Sequence, residues 1–199
     1  MKHVNAAQVP AHLWKNGRGR TRELDIYPES AELDNFIWRV SVADIDEDAD
    51  FSEFNNIDRI ITLIQGESAI LQFDNGHHHT LEPCRPFRFQ GEQKVRATLP
   101  HVSVKDLNLM MDRRRASGCV LFQCEAAEIS CDPESLYWLF CPNGRWHIKT
   151  QNAQSTDVWE LGLHDYLRFD PSLIRLSFKP EVTGSTLLIA QVQHGASAL

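Results

Sequence analysis

The 199-residue sequence predicts an all-β protein built as two small β barrels. Three observations carry this reading. Apolar runs are short, rich in Val, Ile, Leu, Phe and Trp, and broken by Gly, Pro, Asn or Asp, whereas segments with a helical period are scarce. Asp74-Asn75-Gly76 and Pro142-Asn143-Gly144 are hairpin signals, because Asn-Gly supplies the positive φ values of a tight turn. The pattern also repeats. IITLIQGESAILQF from Ile60 has the shape of WLFCPNGRWHIKT from Trp138 at an offset of 78 residues, and the stretch around Arg88-Phe89 echoes that around Arg168-Phe169 at an offset of 80. Nearly equal offsets indicate a duplicated β unit.

The elements follow in order. Residues 14–23, WKNGRGRTRE, pack Lys15, Arg18, Arg20 and Arg22 with Gly17 and Gly19 beside Trp14. This is either an exposed charged strand or a segment whose glycines let the backbone approach a carboxylate or phosphate. Trp14 favours the second, since a solvated charge run has no use for a large apolar ring. The strand at 36–43 places Arg39 and Ser41 on one face and Trp38, Val40 and Val42 on the other. The acidic run 44–50 lacks the glycine and terminal glutamate of a calcium loop and is expected to be a solvated loop. Runs at 59–64, 69–73, 86–89, 95–99 and 107–111 complete the first barrel. Residues 112–118, with Arg113, Arg114 and Arg115 and then Ser117-Gly118, read as a solvated connector. Runs at 119–124, 136–141, 146–150, 166–169, 173–178 and 186–192 form the second barrel. The expected division is therefore 1–111, a connector at 112–118, and 119–199.

A formal net charge of −7 and a pI near 5.7 argue against a dedicated nucleic-acid binder, whose affinity comes mainly from neutralising phosphates. The five cysteines are odd in number, show no C-x-x-C spacing and sit mostly in apolar company, as reduced core residues do. No apolar run reaches the length of a membrane span, and the N-terminus has no signal-peptide pattern. A soluble, cytoplasmic protein without membrane or nucleic-acid partners is expected.

His77, His78 and His79 are the obvious metal suspects, but neighbouring strand residues point to opposite faces, so His78 cannot join the other two. Glu82 is at plausible spacing. A third ligand is missing from 94–99, and His101 is remote, so no metal and no other cofactor is expected. There is no nucleophile elbow, Walker loop or dinucleotide fingerprint; Gly17-Arg18-Gly19 lacks the third glycine and the helix. Polar residues inside apolar strands are the better candidates. Arg59 opens a very apolar strand, and Asp106 and Asn108 alternate with Leu107 and Leu109. An arginine among Trp38, Phe51, Phe54, Phe87 and Phe89 can pair with Asp58 or Asp106, or can anchor a ligand carboxylate. Both readings stay open.

Several stretches together resemble the HutD/Ves family of bicupin proteins: WKNGRGRTRE at 14–23, FIWRVSVADI at 36–45, FSEFNNIDR at 51–59 with Thr62-Leu63-Ile64-Gln65-Gly66, PFRFQGE at 86–92, and Asp106 to Met110. Arg18 stands where that family usually has a third glycine, and Asn55-Asn56 replaces a Pro-Gly pair. The resemblance implies two cupin (jelly-roll) barrels and a metal-free site in the N-terminal one. It also implies either a role in histidine utilisation, through sensing urocanate or a formylated glutamate, or the stress-response association of the Ves branch. The expectation is a non-enzymatic, small-molecule-sensing cupin binding a carboxylate-bearing metabolite. Arg59 would hold the anion with support from Lys15, Asn16, Thr21, Arg39, Ser41 and Asn108, while Trp38, Phe87 and Phe89 supply apolar walls. Glu23 joins the site, and would be the base in the alternative, a metal-independent isomerase, lyase or hydrolase. A scaffold acting through protein contacts is a third reading, and the oligomeric state is left open, a homodimer included.

Overall fold

The computed structural model describes residues 1–14, 16–100 and 102–195, and its strands pair antiparallel wherever their register is given below. β1 (Lys2–Asn5) is followed by β2 (His12–Leu13), β3 (Gly19–Tyr27), β4 (Trp38–Ile45), β5 (Ala49–Asp50), β6 (Ile57–Gln65), β7 (Ala69–Phe73), β8 (His78–Leu81), β9 (Phe87–Gln90), β10 (Val95–Thr98) and β11 (Val104–Asp112). Then come β12 (Ala116–Gln123), β13 (Ala127–Ser130), β14 (Leu136–Asn143), β15 (Trp146–Gln151), β16 (Thr156–Leu161), β17 (Asp165–Phe169), β18 (Arg175–Pro180) and β19 (Thr186–His194). Among the described residues no helix is long and apolar enough to cross a membrane.

The chain divides into two compact units, one from Val9–Ser117 rejoined by Gly195, the other from Met1–Gln8 and Gly118–His194. Each is a pair of sheets. The first has the order β2-β3-β4-β11-β6-β9 facing β5-β10-β7-β8; the second has β1-β17-β14-β19-β12 and β13-β18-β15-β16. Adding eight to each strand number turns β4-β11-β6-β9 into β12-β19-β14-β17, and β5-β10-β7-β8 into β13-β18-β15-β16. The two units are thus one jelly-roll topology used twice, as the constant offset in the sequence suggested. They differ in their extra strands. The first adds β2 and β3 beside β4, while the second takes β1 beside β17, with Lys2 opposite Arg168 and Asn5 opposite Asp165. Residues 1–8 therefore group with the later strands and not with the stretch up to 111. The side chain of Asn5 fixes this register by donating to the Leu163 carbonyl and to Asp165 Oδ1 at 3.1 and 2.8 Å.

Three local expectations need correction. Pro142-Asn143-Gly144 is no hairpin: β14 and β15 belong to different sheets, and the turn carries the chain from one layer to the other. Gly144 takes φ +83°, and a Cβ there would lie 2.8 Å from Ser185 Cα, so close packing under the arch selects glycine. Asp74-Asn75-Gly76, by contrast, does close the β7–β8 hairpin, with Gly76 N–H donating to the Phe73 carbonyl at 3.0 Å. The acidic run is not all loop, because β4 extends through Asp44 and Ile45 and buries both. The triple arginine is not a solvated connector either. Arg113 donates to Asp58 Oδ1, to both oxygens of Glu92 and to the Ile57 carbonyl at 2.6–2.8 Å. Those hydrogen bonds hold the Glu92 carboxyl down at about 2, well below the usual carboxylate range.

The second unit encloses one continuous apolar core around Leu139, Trp146, Leu167, Phe178 and Ile189, with Cys131 and Cys141 inside it. All five cysteines are free thiols. The first unit is built differently inside. It has a large apolar cluster containing Ile45, Ile61, Leu63, Leu71 and Phe73, and a smaller one of Phe36, Ile57 and Met110. Polar side chains lie between them.

Candidate functional site

Strand alternation and register assemble this polar layer. In β4, β11 and β6 the inward rows run Arg39–Met110–Arg59, then Ser41–Asn108–Ile61, then Ala43–Asp106–Leu63. β3 adds Glu23 opposite Ser41 and Thr21 opposite Ala43. Glu23, Arg39, Ser41, Arg59, Asn108 and Asp106 are thereby brought to one level of the barrel. Arg39 Nε donates to Glu23 Oε2 at 2.7 Å and its Nη1 to Ser41 Oγ at 3.3 Å. Glu23 is the member that reaches solvent, with 37% of its side chain exposed.

Arg59 is buried at 7% exposure. Its guanidinium carbon lies 4.9 Å from the Phe89 ring centre, 5.0 Å from Phe51 and 6.0 Å from Phe54, a cage of cation–π contacts. Nε and Nη2 donate to Asn108 Oδ1 at 3.4 and 3.1 Å, and Asn108 Nδ2 donates in turn to Asp106 Oδ1. Asn108 therefore stands between the two charges. Among the described residues no ion pair ties Arg59 to a carboxylate. Asp58, one of the two expected partners, instead accepts from Arg88 and Arg113.

The electrostatics follow from burial. Desolvation pulls Arg59 down to about 10, with the like charge of Arg39 adding to the fall and Asp106 opposing it, so the group stays cationic at neutral pH. Desolvation pushes Asp106 up to about 7, against the opposing pull of Arg59 and Asn108 and with the help of Asp44. Two polar atoms are left over. Asp106 Oδ2 is fully buried and has no hydrogen-bond partner, and Arg59 Nη1 has no acceptor among the described residues. A buried polar atom without a partner costs about 1–3 kcal/mol, so Asp106 Oδ2 is a place where a further group would be stabilising.

Other expected site residues lie elsewhere. Trp38 is on the opposite face of β4, stacked on Tyr27 at 5.7 Å. Thr21 faces inward but its hydroxyl accepts from Trp14 Nε1 at 2.7 Å. Asn16 is exposed and accepts from the Arg18 N–H; Lys15 lies outside the described residues. Phe87 lies beyond Phe89, its ring stacked at 3.5 Å on His79. The three arginines of 14–23 serve the acidic run: Arg20 and Arg22 pair with Asp44, which Lys105 also holds, and Arg18 donates to the Asp48 carbonyl. Gly19 is a glycine because a Cβ would lie 2.5 Å from the Asp44 carbonyl oxygen and 3.0 Å from the Trp14 ring. Its close approach is to the protein's own backbone, not to a ligand.

Sequence reasoning missed Asp106 as a site residue, and took Phe51 and Phe54 only as aromatic neighbours. The signal for Asp106 was its two-residue spacing from Asn108. A cleft of about 540 Å³ is lined by Phe36, Phe54, Ile57, Asp112 and Arg115, and shares Phe54 with the cage around Arg59. The histidines do not fit a cupin metal. His79 lies flat on Phe87 and His77 leans on Phe73, and among the described residues no three His, Cys, Asp or Glu side chains converge. His101 lies outside the described residues.

The second unit provides an internal control. Its register puts Tyr137, Leu187 and Ile189 where the first has Arg59, Asp106 and Asn108. The same topology therefore closes over apolar residues at these positions, and the polar layer is not something the fold demands.

Duplicated jelly rolls, one with a buried charged layer and one without, define an all-β bicupin. The chain belongs to the HutD family, whose model matches residues 6–188. It is similar to HutD from Pseudomonas fluorescens SBW25, a structure from a formate condition, with a TM-score of 0.82 and 27% identity over 98% of this chain and 99% of that one. It is 37% identical to Protein Ves of Citrobacter koseri over 121 residues, 60% of this chain and 62% of that protein, so the match spans less than two thirds of that relative's length. A cupin barrel protein from Leptotrichia buccalis shares the fold alone, with a TM-score of 0.61 and 5% identity over 98% of this chain and 96% of that one.

Proposed function

We propose that this chain is a non-enzymatic cupin sensor of the HutD/Ves type. It binds a carboxylate-bearing metabolite, of the urocanate or formylglutamate kind, in its first barrel and thereby modulates histidine utilisation in the cytoplasm. The observation that carries this is the caged Arg59 guanidinium, which is charged, buried, without a carboxylate partner and left with a free donor. Charge-assisted hydrogen bonds to such a group are worth about 1.5–3 kcal/mol each. The flanking rings of Phe51 and Phe89 suit a flat, short acid. The apolar second barrel supports the reading, since a charged layer that the fold can do without is retained for another reason.

Calorimetry with urocanate, formylglutamate and related acids tests it. Arg59→Ala is expected to weaken binding by about tenfold or more, and Arg59→Lys, which keeps the charge but loses the planar fork, to recover only part. Equal binding by wild type and both variants would make Arg59 structural. The second reading, a metal-independent enzyme, draws on Asp106, a carboxyl poised near neutral pH; Glu23 is engaged in an ion pair with Arg39. Turnover of the same acids by purified protein separates the two.

A further inference from the structure

The layer around Arg59 is closely balanced in charge. Among the described residues four ionisable groups face it: Arg39 from β4, Arg59 from β6, Glu23 from β3 and Asp106 from β11. With all four ionised the sum is zero. Asp44 lies on the outer face of β4, where Arg20, Arg22 and Lys105 neutralise it. Lys105 points to that same face, and Phe51, Phe54 and Phe89 contribute no charge. Placing a carboxylate against Arg59 therefore leaves one uncompensated negative charge in an apolar surrounding, which is costly.

Among the described residues, one group is placed to relieve it. Glu23 is ion-paired to Arg39 and open to water, so its charge is already stabilised. Asp106 is 1% exposed, bonded through Oδ1 alone, and its Oδ2 has no partner. A proton on Oδ2 would remove the excess charge and give that atom a donor for the ligand or a water beside it. We propose that a carboxylate enters this site together with one proton from solvent, which settles on Asp106 Oδ2, so that the carboxylate held at Arg59 adds no net charge to the layer. No bond of the ligand is made or broken: its carboxylate accepts from Arg59, and the proton is held by Asp106. The tendency of Asp106 to hold a proton near neutral pH, caused by its burial, agrees with this.

This inference rests on the carboxylate reading of Arg59, and formate, the smallest carboxylate, tests both. Formate is titrated at constant ionic strength into ¹⁵N-labelled protein and followed by amide shifts between about pH 5.5 and 9; formate itself stays ionised throughout. The apparent Kd is expected to be flat below about pH 6 and to rise above about pH 7, approaching tenfold per pH unit, as uptake of one proton requires. Asp106→Asn, which mimics the protonated form, should bind formate with a Kd that no longer changes over this range. Should that variant fail to fold, the carboxyl ¹³C shift of Asp106 in the wild type gives the same answer, its midpoint moving upward when formate is added. Binding that needs Arg59 but has a pH-independent Kd, with an unmoved Asp106 midpoint, overturns the inference and leaves the carboxylate site standing. Formate binding that survives Arg59→Ala, or no binding at all, removes the site and the inference with it.

Discussion

Arg59→Met separates a residue kept for binding from one kept for the fold, because the two roles predict stability changes of different size. The drop of Arg59 from the ordinary arginine value to about 10 corresponds to about 3 kcal/mol against holding the charge in this position. Methionine removes that cost and keeps most of the apolar volume, with sulfur–aromatic contacts to Phe51 and Phe89 replacing the cation–π ones. Against this stand the two hydrogen bonds to Asn108 Oδ1, whose loss leaves a buried acceptor unpaired at about 1–3 kcal/mol. The terms nearly cancel, so at pH 6 the variant should lie within about 1–2 kcal/mol of wild type. The balance then shifts with pH. Without Arg59, Asp106 has lost its nearest cation and its carboxyl rises further above about 7. A carboxyl whose folded value exceeds its unfolded one stabilises the protein at low pH, and that contribution is lost as pH rises through the folded value. The variant's deficit should therefore grow above pH 7 by up to about 1.4 kcal/mol per unit. Urea unfolding at pH 6 and 8.5, beside formate binding at pH 6, is the assay. A loss above about 3 kcal/mol at pH 6 would mean that the barrel needs the guanidinium, and the functional argument would fail.

Arg113→Ala removes four hydrogen bonds and should cost about 2 kcal/mol, the low end for so many charge-assisted bonds because these side chains are partly exposed. Glu92 loses the cause of its low value, so the stability that wild type sheds as pH falls from the ordinary glutamate range toward about 2 should not be shed by the variant; parallel acid limbs in urea titrations would refute the clamp. Gly19→Ala must displace either the Asp44 carbonyl or the Trp14 ring, for an expected loss of about 1–3 kcal/mol in thermal unfolding. Wild-type stability there would show that the β3–β4 contact is looser than described.

The repeat and the central strands were legible because their apolar positions are dense and recur at a constant offset. A charged strand and a binding segment, the second favoured by Trp14, both stayed open for the start of β3. Its outward residues Arg20 and Arg22 and its inward residues Thr21 and Glu23 are all polar, so no alternation of hydrophobicity betrays the strand. Alternation did reveal that Arg39 and Ser41 share a face, and likewise Asp106 and Asn108. What a single strand cannot give is register, and register sets Asn108 between Arg59 and Asp106. Arg113 looked solvated because its partners, Asp58 and Glu92, lie 55 and 21 residues away.

The placement of β1 has a consequence for the order in which the molecule can form. Its four residues are made before β2 to β19, yet their partner β17 is made about 160 residues later, whereas the stretch between Val9 and Ser117 that builds the other barrel is complete well before then. The second barrel is thus closed by a segment that has waited through the synthesis of the first. Cutting the chain at 118 would not liberate a finished module: a fragment starting at 119 has β17 as a bare edge with its backbone donors and acceptors exposed, a template for association with other chains. A permuted chain in which residues 1–8 follow residue 194 would shorten that wait. It is the arrangement in which the later barrel should fold fastest and aggregate least.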